Sequence, residues 1–418
     1  MLRLSWHSSR RFDHLPEIQR LRTTLQRCQM TAHLNPLTIK RIYQQCKRCV
    51  MDTSDPEISF DGEGVCNHCI EFDTVTRKYW FPNEEGRARF SVMVEQIKEV
   101  GKDSEYDCIL GLSGGVDSSY LALKVHEWGL RPLVMHVDAG WNSELAVNNI
   151  EALIKHCNYD LHTHVVDWDE MRELQLAYMK SGIANQDVPQ DHVFFSSLYH
   201  FAAKNRIRYI LSGSNSATES IFPSSWHGSA MDAINLKAIN KKYGNRYLKS
   251  YKTISLFEYY IYYPFVKKMR TFCPLNYMPY DKAKALKELQ RTVGYKPYER
   301  KHGESFFTKL FQNYYLPKRF GYDKRLPHLS SLIVSGQMTR NDAQLELEKP
   351  LYAPDELEVD ITYFCKKLRI SRSEFDELME MPKRHYTDFP NWDARYRVLK
   401  KTQDLIARIT GHRIRVYS

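Results

Sequence analysis

Two closely spaced pairs of cysteines carry the first recognisable chemistry of the chain. Cys46 and Cys49 have two residues between them, and after sixteen more residues Cys66 and Cys69 repeat that spacing. Each pair places two thiolates on one side of a tight turn, and a hairpin brings the pairs together. Four thiolates complete a tetrahedral Zn²⁺ site and leave no position for water. The spacing therefore predicts a structural zinc site rather than four unrelated thiols or a redox-active pair.

A glycine-rich loop is the second chemical feature. An apolar stretch at 107–112 predicts a buried strand, and 120–128 predict a helix that ends at Gly129. Between them runs the loop Ser113-Gly114-Gly115-Val116-Asp117-Ser118-Ser119. Glycines let backbone N–H groups approach a phosphate, and a helix N-terminus adds partial positive charge. The loop has neither the lysine of a Walker motif nor the spacing of a dinucleotide-binding loop, so it indicates another kind of phosphate site.

This loop resembles the pyrophosphate loop of the PP-loop ATP pyrophosphatases, which cleave ATP to AMP and pyrophosphate while adenylating an oxygen of the substrate. The resemblance implies that loop residues bind ATP, namely Leu112, Ser113, Gly114, Gly115, Asp117 and Ser118. It also implies catalytic roles for Asp117 and Ser118. Mg²⁺ is expected on Asp117, because a cation must neutralise the charge that develops on the departing pyrophosphate.

Alternating strands and helices must position this loop. Further strands are predicted at 131–138, 161–167 and 208–213, with helices at 143–157, 170–181 and 190–205. This alternation predicts an α/β fold with a doubly wound parallel sheet, whose ligands lie at the carboxyl ends of the strands. Asp138 ends the second strand, where it would face the nucleoside of ATP or serve as a turn or helix-capping residue.

The loop at 212–219 follows the fourth predicted strand and reaches the same edge of the sheet. It adds Gly213 and Asn215 to the expected ATP site. In the similar NAD synthetases a glutamate near this position helps to hold Mg²⁺, which makes Glu219 a candidate second ligand. Asn215 and Glu219 are one residue further apart than in that pattern. Glu219 can equally be a first-turn glutamate that stabilises the next helix.

The C-terminal half is rich in basic and aromatic residues. Lys301 and Arg325 lie in two clusters of cations suited to bind an anionic sugar nucleotide or a transition-state phosphate, and we assign both a catalytic role. The clusters can also be a solvated face. The aromatic run at 257–265 fits either stacking on a ligand or packing of an amphipathic helix. From 331 onward, mixed charges at helical spacing predict helices.

Composition limits the classes of protein. The chain has 418 residues, nine cysteines and a formal net charge of +10. It lacks any run of eighteen apolar residues, and its few, scattered further cysteines favour a reducing cytoplasm over a secreted disulfide scaffold. Seven basic residues fall within the first forty, so the overall charge is weak evidence for nucleic acid. That segment is either a basic arm or an unstructured extension.

Five regions follow from these patterns. They are a basic extension at 1–43, a zinc module at 44–78, a helical connector at 79–105, an ATP-binding α/β domain at 106–298 and a helical substrate or partner region at 299–418.

Three segments together go beyond the general PP-loop class, namely 46–60 with 66–69, 112–119 and 320–340. They resemble the N-acetyl sugar amidotransferases of O-antigen and flagellar-glycan pathways, over roughly 44–400. The resemblance implies conversion of a sugar acetamido group to an acetamidino group, with ATP, Mg²⁺ and structural Zn²⁺. It also implies ammonia from a separate glutaminase, with a synthase-like barrel subunit as conduit. No membrane partner is expected, and nucleic acid is not favoured.

Two other readings remain open at this point. A PP-loop enzyme that modifies tRNA, either a thiolase or a lysidine-type ligase, shares the ATP chemistry and often has zinc-binding cysteines. Thiolation usually needs a cysteine pair near ATP, and both close pairs here are assigned to zinc. A zinc-ribbon binding module with a degenerate nucleotide domain is disfavoured by the intact loop at 113–118.

Overall fold

The structure is a computed structural model that describes residues 42–298 and 303–410, with side chains up to 405. The chain divides into a unit at Met1–Tyr43 and a unit at Gln44–Ser418. The predicted basic extension lies outside the described residues apart from Ile42 and Tyr43. The fold below is that of the second unit.

A five-stranded parallel sheet forms the centre of this unit, as the alternation of strands and helices predicted. Its spatial order is β3-β2-β1-β4-β5. The strands are β1 (Cys108–Gly111), β2 (Pro132–Asp138), β3 (Asp160–Val165), β4 (Tyr209–Leu211) and β5 (Arg270–Phe272). The order reverses between β1 and β4, which pair directly through Ile109 and Ile210. At such a switch point the strand ends border a crevice for a ligand.

Both faces of the sheet are apolar because successive strand residues alternate between two hydrophobic clusters. Ile109 points into one cluster, whereas Cys108 and Leu110 point into the other. Nine helices accompany this part of the described chain: α1 (Asn67–Thr74), α2 (Glu84–Gly101), α3 (Val116–Glu127), α4 (Glu144–Cys157), α5 (Trp168–Ser181), α6 (Val188–Lys204), α7 (Ser216–Glu219), α8 (Ala233–Tyr243) and α9 (Lys282–Val293). Helices α5, α6 and α8 cover the first face, and α2, α3, α4 and α9 cover the second.

The C-terminal region is helical, as predicted. Its helices are α10 (Phe306–Leu310), α11 (Leu316–Phe320), α12 (Arg325–Val334), α13 (Arg340–Glu348), α14 (Pro354–Leu368), α15 (Arg372–Glu380) and α16 (Asp393–Thr410). A third cluster joins α10, α14 and α15 to Trp141, which lies just beyond β2 and is 1% exposed. The C-terminal region therefore packs directly beside the carboxyl edge of the sheet.

Short helical turns complete the described chain. Four are 3₁₀ turns, at Thr76–Tyr79, Ser224–Trp226, Pro274–Tyr277 and Tyr386–Asp388, and two are π-helical, at Glu258–Val266 and Phe311–Tyr315. The first π-helical segment holds the aromatic run, of which Tyr263 is buried while Phe257 and Phe265 are exposed. Within the described residues, we find no helix with the length and apolar character needed to cross a membrane.

Candidate functional site

The four paired cysteines converge on one buried point. Their sulfur atoms all lie within 4.8 Å of one another, and each residue is fully buried. The Sγ atoms of Cys46 and Cys69 are 4.0 Å apart, and those of Cys49 and Cys66 are 3.6 Å apart. A tetrahedral metal with Zn–S bonds of about 2.3 Å requires sulfur separations of about 3.8 Å. The residues therefore fit a four-coordinate metal site.

Backbone N–H groups surround these sulfurs as they do around thiolate ligands. Arg48, Cys49 and Cys66 donate to Cys46 Sγ at 3.4, 3.4 and 3.3 Å. Between the two cysteine pairs, a single antiparallel bridge joins Phe60 to Cys66.

The cysteine cluster is anchored to the C-terminal region. Val50 donates its N–H to Ser330 Oγ on α12 at 3.2 Å. The Arg340 guanidinium, on α13, donates to the carbonyls of Cys46 and Cys49 at 3.3 and 3.0 Å. Helix α12 also accepts the N–H of Ile221, which follows α7, on Ser331 Oγ at 3.0 Å. One helix thus connects the cysteine cluster to the loop that follows β4.

Arg325, predicted to be catalytic, begins α12. Its guanidinium donates to both oxygens of Asp323 and, at 3.1 and 2.7 Å, to the carbonyls of Glu346 and Lys349. These contacts join the start of α12 to the end of α13. The neighbouring Lys324 is buried and lies among charged groups of the α/β part, a position that the sequence did not single out. Lys301 lies outside the described residues.

The glycine-rich loop runs from β1 into α3, which begins right after Gly115. Gly114 has a φ of 84°, a conformation that glycine adopts without strain. Ser113 Oγ accepts the N–H of Gly115 at 3.3 Å, and Ser118 Oγ accepts the N–H of Ser113 at 3.3 Å. The two hydroxyls are 3.1 Å apart. The loop is therefore a closed turn, and Leu112 anchors it in the core.

Two tyrosines hold the loop from behind. The hydroxyls of Tyr295 and Tyr298 donate to the Gly114 carbonyl at 2.8 and 2.9 Å. From the other side Gly213 approaches so closely that a Cβ there would lie 2.9 Å from the Ser118 nitrogen. Only glycine permits this contact between the loops that follow β1 and β4. The structure thus brings the predicted residues 112–118 and Gly213 together at one end of the sheet.

Asp117 lies at the centre of a polar network. Its Oδ1 accepts hydrogen bonds from the Tyr280 hydroxyl and from Asn215 Nδ2, the latter at 3.3 Å, and its Oδ2 pairs with Lys282 Nζ at 3.1 Å. Burial favours a neutral lysine, yet the Asp117 carboxylate outweighs it and raises the pKa of Lys282. The N-cap of α3 is Gly115, so Asp117 lies in the first turn of that helix.

Sequence reasoning missed Tyr280 and Lys282. The signal was present, because the segment Met278-Pro279-Tyr280-Asp281-Lys282 follows β5 and therefore reaches the same carboxyl edge as the glycine-rich loop. Burial and the nearby Asp117 carboxylate raise the pKa of Tyr280, so its hydroxyl keeps its proton and donates it to the aspartate. Lys282 brings a positive charge to a loop that has no lysine of its own.

Asn215 and Glu219 begin and end α7. Asn215 Oδ1 caps that helix by accepting from the Thr218 N–H at 3.0 Å, while its amide reaches Asp117. Glu219 is exposed, and its charge contributes to the raised pKa of Lys282. Two carboxylates beside a phosphate loop fit Mg²⁺, which typically uses one or two carboxylates together with substrate phosphates. Both Asp117 oxygens already have protein partners, so a bound cation and Lys282 would share the Asp117 carboxylate.

Asp138 ends β2 beside a cleft of about 540 Å³. Its Oδ1 accepts from the Gly140 N–H at 2.8 Å and from Asn142 Nδ2 at 3.1 Å, which is the geometry of a turn residue. The cleft is also lined by Trp168 and by Lys367 of α14, whose Nζ lies 4.9 Å from the Trp168 ring centroid. Its aromatic wall suits a flat base or a sugar ring.

The first described residues of the C-terminal region reach the glycine-rich loop. The Glu304 carbonyl accepts the N–H of Ser143 at 2.9 Å, and Phe306 donates its N–H to the Trp141 carbonyl at 3.1 Å. A Cβ on Gly115 would lie 3.6 Å from Glu304 Oε1. The C-terminal region therefore supplies one wall of the crevice above the loop.

The C-terminal residues that form this wall match a known protein family. Residues 304–403 match a family described as "LPS biosynthesis protein WbpG-like, C-terminal domain". The C-terminal region is therefore similar to that domain. The resemblance to enzymes of surface-polysaccharide synthesis is thereby confirmed for this region, and its match begins at Glu304, the residue that lies against the loop.

Two solved structures are similar to parts of this chain. An NH₃-dependent NAD synthetase from Campylobacter jejuni, solved with nitrate ion, is 17% identical over 32% of this chain, with a TM-score of 0.25. The chain spans 58% of that protein's length. An NMN synthetase from Francisella tularensis is 15% identical over 51% of this chain and 98% of its own, with a TM-score of 0.27. At these scores neither adds to the argument below. No curated protein matches the chain.

Proposed function

We propose that the protein is an ATP-dependent amidotransferase of surface-polysaccharide biosynthesis. It would adenylate the acetamido oxygen of a nucleotide-linked N-acetyl sugar and replace it with ammonia, giving an acetamidino group, AMP and pyrophosphate. The observation that carries this proposal is the contact between the WbpG-like region and the glycine-rich loop, where Glu304 faces Gly115. A region typical of lipopolysaccharide synthesis and a phosphate-binding loop thus border one crevice.

The chemistry explains why such an enzyme needs ATP. An amide resists ammonia because its oxygen is a poor leaving group, and adenylation turns that oxygen into part of AMP. The protein has to hold ATP, sugar and ammonia in reacting positions and to stabilise the negative charge that develops on pyrophosphate. The backbone N–H groups of the loop and the Lys282 ammonium, which lies 3.1 Å from Asp117 Oδ2, would perform the second task.

Two metals belong to this proposal. Mg²⁺, held by Asp117 and Glu219, would supply positive charge to the phosphates. Zn²⁺, held by the four cysteines, would stabilise the fold around α12, which contacts both the cysteine cluster and the loop after β4. The cleft beside Asp138 would take the adenosine of ATP.

Ammonia would come from a separate glutaminase. Cys157 and Cys365 are buried, and burial raises the pKa of both Cys157 and Cys273 to about 11, which makes their thiols poor nucleophiles at neutral pH. Cys108 is also buried, and burial raises the pKa of its thiol. Apart from the four paired cysteines these are all the cysteines among the described residues, so none of them is an activated glutaminase nucleophile. Cytoplasmic location is part of the same proposal, because nucleotide sugars and ATP are cytoplasmic substrates.

Isotope labelling tests the proposal directly. The protein would be incubated with ATP, Mg²⁺, ¹⁵N-ammonium and UDP-linked diacetamido sugars carrying ¹⁸O in the acetamido groups, followed by mass spectrometry. We expect ¹⁵N in the sugar and ¹⁸O in the phosphate of AMP, since the adenylated oxygen leaves with AMP. Formation of ADP instead of AMP would refute it. Modification of tRNA in parallel incubations, with no sugar product, would favour the tRNA-modifying alternative.

A further inference from the structure

A group of buried and half-buried charged residues lies outside the proposed ATP site. It consists of Asp187, Asp191, His227 and Lys324, here called the Asp191 cluster. Asp187 is the N-cap of α6 and Asp191 follows one turn later, so both carboxylates lie on the same face of the helix. Asp187 accepts hydrogen bonds from Thr308 Oγ1 at 3.0 Å and from Gln190 Nε2 at 3.1 Å.

The partners of the two acids differ. Asp187 is 7% exposed and accepts both of these hydrogen bonds on Oδ1, whereas the carboxylate of Asp191 has neither a hydrogen bond nor an ion pair with any residue that the structure describes. Such a carboxylate, inside a protein yet partly accessible, is available to a small polar ligand.

Lys324 closes the cluster from the C-terminal region. It is 7% exposed, donates to His227 Nε2 at 3.1 Å and lies 4.5 Å from the Phe222 ring centroid. Among described residues no carboxylate forms an ion pair with it, although Asp187, Asp191 and Glu219 all act on its charge. His227 Nδ1 is buried and has no hydrogen-bond partner in the described part of the chain. Lys324 and His227 therefore keep hydrogen-bond donors, and the Asp191 carboxylate an acceptor, that no described residue uses.

Two segments connect the Asp191 cluster to the glycine-rich loop across the crevice. Glu304 lies beside Gly115, and one helical turn later Thr308 bonds to Asp187. Separately, Asn215 bonds to Asp117, and Glu219, at the other end of the same short helix, acts on Lys324. A substrate held at the loop would therefore have the Asp191 cluster on its far side.

We propose that the Asp191 cluster is the subsite for the nitrogen nucleophile, in which Asp191 is the base and Lys324 and Asp187 are positioning residues. This inference rests on the proposed function. As ammonia adds to the adenylated carbon, a C–N bond forms and the nitrogen gives one proton to Asp191. The C–O bond then breaks, AMP leaves with that electron pair, and the product keeps its positive charge as an amidinium.

The charges around Asp191 suit this role. Burial and the Asp187 carboxylate raise the pKa of Asp191 to about 8, against the lowering effect of Lys324. Burial lowers the pKa of Lys324 to about 8 and holds that of His227 well below its usual value. A base whose pKa lies near the working pH can both accept and release a proton during turnover. The charged groups that act on it are Asp187 at the start of α6 and Lys324 before α12, and His227, after the 3₁₀ turn at 224–226, joins the cluster through its hydrogen bond with Lys324.

The substitution Asp191→Asn tests the inference by separating the two half-reactions. Sugar-dependent exchange of pyrophosphate into ATP reports adenylation, and ¹⁵N incorporation reports attack by ammonia. We expect exchange to be unchanged, while amidine formation falls by about 10²-fold or more, the usual contribution of a general base. Hydroxylamine, a weaker base that is mostly uncharged at neutral pH, should restore turnover in the variant because it needs less help in losing a proton.

Matched controls make the result decisive. Asp376→Asn makes the same chemical change at an exposed aspartate of α15 that pairs with Arg372 at 3.1 Å, and both reactions should stay at wild-type rates. Wild-type amidine formation by Asp191→Asn would overturn the inference, as would a parallel loss of exchange, which would assign Asp191 to sugar binding or folding. Absence of sugar-dependent exchange in the wild-type protein would instead refute the proposed function itself.

Discussion

The cysteine cluster and the glycine-rich loop are both built around short motifs, yet they are completed in different ways. All four sulfur ligands come from residues 46–69, and their spacing alone predicts a closed site. The loop supplies only part of its own site. Its aspartate is held by Asn215, Tyr280 and Lys282, which lie 98 to 165 positions further along the chain. The cysteine cluster closes on itself, whereas the glycine-rich loop borders an open crevice and draws its partners from other elements.

The two regions also differ in what surrounds them. The cysteine cluster has a hydrophobic shell, contributed by Phe72, Leu326, Leu329 and others, which excludes water. The loop has a polar shell that faces the crevice. Damage to the first region should therefore appear as loss of fold, and damage to the second as loss of turnover with the fold intact. Four substitutions test this division, in order of decreasing effect.

Cys49→Ser should have the largest effect. The purified wild-type protein should contain about one zinc per chain, and the variant should lose that metal together with most of its folded, soluble yield. A structural thiolate site contributes on the order of 10 kcal/mol through metal binding, and its loss also loosens α12, which contacts Val50. Metal analysis and thermal unfolding measure the outcome. A zinc-free variant that stays folded and active would show that the cluster is dispensable.

Asp117→Asn should abolish most turnover while leaving the fold intact. The Asn side chain can still accept the Tyr280 hydroxyl, but it lacks the charge that Lys282 and a cation require. We expect AMP formation at saturating ATP to fall by about 10²- to 10³-fold, nearly as far as in Asp117→Ala. A helix-capping role would predict little loss in the Asn variant, because Asn caps as well as Asp does. Near wild-type AMP formation would therefore exclude the metal role.

Lys282→Met should have an intermediate effect. A charge-assisted hydrogen bond contributes about 1.5–3 kcal/mol, which corresponds to about a 10- to 100-fold loss in rate if the bond is used in the transition state. If Lys282 acts through Asp117, the double variant with Asp117→Asn should be no slower than Asp117→Asn alone. If the loss in rate of the double variant instead equals the product of the two single losses, Lys282 contacts the phosphates by itself. Rates of pyrophosphate release distinguish these cases.

The sequence predicted the parallel sheet, the convergence of the four paired cysteines and the loop between β1 and α3, because each of these depends on local patterns. It could not connect Lys282 with Asp117, since that contact depends on β5 lying at the edge of the sheet beyond β4. It also favoured Arg325 over Lys324 on composition alone. Only the packing of α12 shows that the Arg325 guanidinium binds carbonyls of α13 while Lys324 is buried near Asp187 and Asp191. The direction of a side chain in a basic cluster is a tertiary property.

Gly213→Ala should have the smallest effect and is the most local test of the loop. The added Cβ would lie 2.9 Å from the Ser118 nitrogen and 3.0 Å from its Cα, so one of the two loops must shift by a few tenths of an ångström. Such overpacking costs about 1–3 kcal/mol, and a displaced loop N–H should raise the KM for ATP several-fold with little change in kcat.

Gly62→Ala, in the cysteine module, is the matched control because nothing lies within 4 Å of its new Cβ. Its unfolding midpoint and KM should stay at wild-type values. Indistinguishable kinetics for the two variants would mean that the backbone of residues 113–118 does not contact ATP. The site would then consist of side chains alone, and the contrast with the cysteine cluster would rest on Asp117 and Lys282.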